Sequence, residues 1–66
     1  MTFEQAITQA YDALKTDDQA TVQAAKNSVL DASVQARPMQ EYVASEILKQ
    51  LNLRLQYLKD YATMWL

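Results

Sequence analysis

Residues 35–66 read QARPMQEYVASEILKQLNLRLQYLKDYATMWL, and this stretch decides the fold. Pro38 suits the first position of a helix, where its missing N–H is not needed. The same proline pushes Arg37 out of the helical region, so the chain breaks there. From Met39 to Leu66 there is no glycine and no second proline. The pattern therefore predicts one helix over 38–65, roughly 42 Å long at 1.5 Å per residue.

That helix has more apolar residues than one face can hold. Ala44, Leu48, Leu51, Leu55, Leu58, Ala62 and Trp65 recur in alternating steps of four and three, the spacing of a heptad seam. Leu48, Leu51, Leu55 and Leu58 are its centre, as an intramolecular core or as an oligomer seam. Val43, Ile47 and Tyr61 flank this line, and Met39, Leu53, Tyr57 and Met64 carry the apolar arc further round. Ser45, Lys49, Asn52, Gln56, Lys59, Asp60 and Thr63 form the polar sector. A surface helix normally shows an apolar stripe of somewhat over 100°. Here the arc exceeds half the circumference, which leaves an aromatic ridge of Tyr57, Tyr61 and Trp65 beside Leu53 and Met64. Two shorter helices would cover one side of the long one, so the ridge is expected to be a partner-binding surface. The alternative is that it is intramolecular core, with the other helices packed on both sides.

Upstream, Thr16-Asp17-Asp18-Gln19 reads as a turn, and Thr16 and Gln19 have the spacing of a capping box. A second helix is expected over 17–36, with Asp17 and Asp18 in its first turn, where the helix dipole favours negative charge. Val22, Ala25, Val29, Ala32 and Ala36 line one face, while Leu30 and Val34 lie off it and suggest cover on two sides. A first helix is expected over 3–15. Thr2 and Gln5 have capping-box spacing there, and Phe3, Ile7, Ala10, Tyr11 and Leu14 form the apolar face. The expected fold is all-α: a small up-down-up three-helix bundle with two shorter helices and a long C-terminal one. Residues 1–66 make a single domain.

A chain of 66 residues has a marginal core, burying about 60% of its unfolded surface. Such chains usually add a disulfide, a metal or a partner. There is no Cys and no His, so disulfides are impossible and soft-metal sites have no ligands. Self-association or docking onto another protein remains, and oligomerisation is expected.

The same composition excludes catalysis by His or Cys, and the absence of glycine excludes a glycine-rich phosphate loop. Asp17 and Asp18 are the one adjacent acidic pair, and a capping role explains them. No catalytic, metal-binding or cofactor-binding residues are expected, and the chain is read as non-enzymatic. Net charge is −2, with −3 through Ala36 and +1 from Arg37 onward. Arg37, Lys49, Arg54 and Lys59 form no basic stripe, which disfavours nucleic acid as a partner. No stretch reaches the roughly 18 apolar residues of a membrane span, and no basic leader follows Met1. A complete, cytoplasmic small protein is the expectation.

The function expected is protein–protein interaction, as an adaptor or an inhibitor of a larger protein, through Leu53, Tyr57, Tyr61, Met64 and Trp65. The alternative is a homo-oligomeric structural subunit. A third, minor reading is an accessory protein associated with nucleic acid.

Overall fold

The structure is a computed structural model. It describes the backbone of residues 2–64, and side chains through Tyr61. Three helices follow in order: α1 (Phe3–Ala13), α2 (Gln19–Ser33) and α3 (Pro38–Met64), with no strand among the described residues. The expected three-helix architecture is present, with α1 and α2 shorter than anticipated at their ends.

Each boundary has a local cause. At α1 the capping box forms in full: the Gln5 N–H donates to Thr2 Oγ1 at 3.2 Å, and the Thr2 N–H donates to Gln5 Oε1 at 3.0 Å. α1 stops at Ala13 because Lys15 and Thr16 tighten into a turn, their N–H groups donating to the carbonyls of Asp12 and Ala13. The Thr16 hydroxyl also donates to the Ala13 carbonyl, at 2.8 Å. That bond closes α1, so Thr16 does not cap α2. Asp18 is the N-cap instead, with its carboxylate accepting from the Ala20 N–H and the Thr21 hydroxyl. This corrects the expected Thr16–Gln19 box and starts α2 two residues later. The hydroxyl bond to the Asp18 carboxylate, and then the Ala20 N–H, hold its pKa below the ordinary 3.8.

α2 ends when the Ser33 hydroxyl donates to the Leu30 carbonyl at 2.8 Å. At the start of α3, the Gln40 side chain accepts from the Arg37 N–H at 3.0 Å, half of a capping box, and Pro38 follows as the first helical residue. With no glycine in the chain, α1 and α2 end on right-handed residues, Leu14 and Val34, instead of a left-handed cap.

The helices run up, down, up. Arg54 of α3 bonds to the α1–α2 turn, and the α2–α3 turn returns beside the start of α1. α2 is central, packing broadly against both neighbours, while α1 and α3 touch over a small area. α2, with 15 residues, is about 22 Å long; α3, with 27, is about 40 Å and sets the 43 × 17 × 16 Å shape. The last turns of α3 therefore extend past the Asp18 cap.

The core joins Ala6, Ala10 and Ala13 of α1, Val22, Ala25 and Val29 of α2, and Ala44, Ile47, Leu51 and Leu58 of α3. Small side chains on α1 and α2 let the three backbones approach closely. Leu48 and Leu55 are partly buried against this cluster, so the leucine line of α3 belongs to the chain's own core. Ile47, expected as a flank, is buried. Two expectations are corrected. Tyr11 is exposed, because α1 turns its alanine line inward and leaves Phe3, Ile7 and Leu14 at the margin. Leu30 and Val34 are also exposed, so α2 is not covered on the side they occupy.

Candidate functional site: the open flank of helix α3

At 100° per residue, Met39 and Tyr57 lie about a third of a turn from Leu51 and Leu53 somewhat further round, with Val43 and Tyr61 between them and the core line. α2 and α1 cover the Leu51 side and leave this flank open. Met39 is 83% exposed, Leu53 and Tyr57 are 55% and Tyr61 is 48%. Tyr42 and Val43 are exposed as well. Leu53, Tyr57 and Tyr61, singled out from the sequence, thus lie together on the surface of one helix. Met64 closes α3, but its side chain and the whole of Trp65 lie outside the described residues.

The sequence reading placed Met39 and Val43 in the same apolar arc but confined the partner-binding set to the C-terminal half of α3. The signal was available: Met39, Val43, Glu46, Gln50, Leu53 and Tyr57 follow each other in steps of four and three. Glu46 and Gln50 interrupt the apolar run at its middle, and both are exposed.

The distal end of the flank is held in place. Tyr57 and Tyr61 stack with ring centroids 6.2 Å apart and planes inclined by 23°. The Arg54 guanidinium carbon lies 5.5 Å from the Tyr57 centroid, a cation–π contact. The same guanidinium donates to the Thr16 carbonyl and pairs with Asp17. Tyr57 is therefore packed against a side chain that is itself anchored to the α1–α2 turn. Beside it, Asp17, Asp18 and Gln19 face Tyr57, Leu58 and Tyr61 across an open notch of about 510 Å³.

The arrangement is an exposed apolar and aromatic helix face with an acidic edge. Among the described residues no group of acidic side chains converges to hold a metal ion, and no helix is long and apolar enough to cross a membrane. The fold and flank define a small three-helix bundle with an uncovered helical face. Comparison with protein-family models, curated proteins and solved structures gave no match.

Proposed function

We propose that this chain is a small cytoplasmic protein–protein interaction module, an adaptor or an inhibitor of a larger protein, with no chemistry of its own. The open flank of α3 is its contact surface. The observation that carries this reading is the exposure of Leu53, Tyr57 and Tyr61 in line with Met39 and Val43 on one helix. Aromatic side chains and methionine are enriched at protein interfaces, and a contiguous exposed apolar patch usually marks one. Met64 and Trp65 would extend the same surface.

The core supports the reading from the other side. Leu51, Val22 and Val29 are the largest fully buried side chains, and alanine supplies much of the rest. Most of the large aromatic side chains thus stay outside the core. A chain of this size gains stability when such residues are covered by a partner.

The test is photo-crosslinking in cells, with a benzophenone side chain placed at position 57 or, as control, at the polar-sector position 52. The reading expects a protein adduct from position 57 and none from 52. Equal adducts from both positions, or none from 57, would refute it.

A further inference from the structure

We infer that the occupant of this flank is a second copy of the chain, with the two α3 helices packed antiparallel about a two-fold axis near Leu48. The inference rests on the reading of the flank as a protein-contact surface and takes a second copy, in place of a larger protein, as its occupant.

The spacing supplies the register. Met39, Val43, Glu46, Gln50, Leu53 and Tyr57 form a second seam with the 3.5-residue period that lets two helices pack along their length. The seam is apolar at both ends and polar in the middle. Antiparallel pairing about Leu48 sets Met39 against the partner's Tyr57 and Val43 against the partner's Leu53. At the centre, Glu46 meets the partner's Gln50. Each layer occurs twice by symmetry, so the apolar ends cover each other and the polar residues coincide.

Charge decides the orientation. Parallel pairing in register would set the two Glu46 carboxylates face to face. In the antiparallel arrangement each Glu46 carboxylate can accept from the amide of the partner's Gln50, with the partner's Lys49 adjacent. Across the described length of α3, Lys49, Arg54 and Lys59 balance Glu41, Glu46 and Asp60, so the helix meets its own copy without net repulsion. A polar layer inside an apolar seam is a known means of fixing register.

The chain also exposes more surface than its mass alone requires. The chain exposes 4940 Å², whereas a folded monomer of 7.5 kDa is expected to expose about 4,250 Å². Part of the excess, roughly 700 Å², comes from the elongated shape.

The experiment is sedimentation equilibrium of the full chain from about 1 µM to 1 mM, with cysteine pairing to read the register. The expected result is a mass rising with concentration from 7.5 kDa to twice that value. Leu53→Asp should weaken the dimer at least tenfold with helicity retained. The chain has no cysteine of its own, so mixed Val43→Cys and Leu53→Cys chains should form the heterodisulfide far faster than either chain pairs with itself. A monomer at every concentration, association indifferent to Leu53→Asp, or preferential self-pairing of Val43→Cys would each overturn the inference. A monomer that still gives a larger, heterologous adduct at position 57 overturns the homodimer alone. A monomer with no adduct overturns both readings.

Discussion

The Arg54 guanidinium donates twice to the backbone carbonyl oxygen of Thr16, from Nε at 3.3 Å and from Nη2 at 3.0 Å. This contact fastens the middle of the long helix to the turn that reverses the chain between α1 and α2. It also fixes the side chain against which Tyr57 packs.

Arg54→Ala should therefore lower the stability of the chain by about 1–2 kcal/mol, the range for a charged donor that is partly solvated. Arg54→Lys should recover less than half of that loss, because an ammonium group lacks the planar fork that reaches one carbonyl from two nitrogens. Asp17→Asn should cost less than about 0.5 kcal/mol, since its partner in the ion pair is a largely exposed carboxylate. Urea unfolding followed by circular dichroism measures all three.

The contrast between the turns shows how much of the fold could be read from the sequence. The break at Arg37-Pro38 and the Thr2–Gln5 box were legible because each depends on residues adjacent in the chain. The cap of α2 was not. Thr16 and Asp18 both stand before Gln19 as competent caps, and the choice went to Asp18 once the Thr16 hydroxyl was used to close α1. The inward face of α1 was ambiguous for a different reason. Ala6, Ala10 and Ala13 recur in steps of four and three, as do the larger residues Ile7, Tyr11 and Leu14. Only the packing of α2 decides that the small line goes inside. The open flank of α3 was legible in its aromatic half, where large side chains exceed what two short helices can cover. Met39 and Val43 were legible as part of the same arc, but Glu46 and Gln50, which read as ordinary solvated positions, hid their continuity with the aromatic half.

The pKa of Asp18 is lowered in the folded chain by the Thr21 hydroxyl and the Ala20 N–H. A carboxyl group with a depressed folded pKa contributes stability that is fully present above its unfolded value of 3.8. That contribution is lost as pH falls through the depressed folded value. Thermal melts between about pH 6 and pH 2 should show a decline in the acid range, and Asp18→Asn, which keeps an oxygen acceptor without the charge, should remove part of it. An identical acid profile for the variant would mean that the bonds to Ala20 and Thr21 do not distinguish the charged cap.

Leu51 is the largest fully buried side chain at the centre of the bundle. Leu51→Ala should cost about 2–5 kcal/mol, enough to unfold most of a domain this small at 25 °C. Ala10 is fully buried between close helices, so Ala10→Leu should cost about 1–3 kcal/mol through overpacking. Calorimetry on the two variants checks whether the small residues are required for helix approach or merely fill space.

The central claim is that the flank carrying Leu53 and Tyr57 is surface within one chain and is used for contact with another protein. Its most direct test is urea unfolding of the Leu53→Ser/Tyr57→Ser double variant at a concentration where sedimentation finds the chain monomeric. The predicted loss is less than about 1 kcal/mol, the value of an exposed cation–π contact and little more. A loss of about 3 kcal/mol or more, independent of protein concentration, would place these side chains in the core and contradict the account.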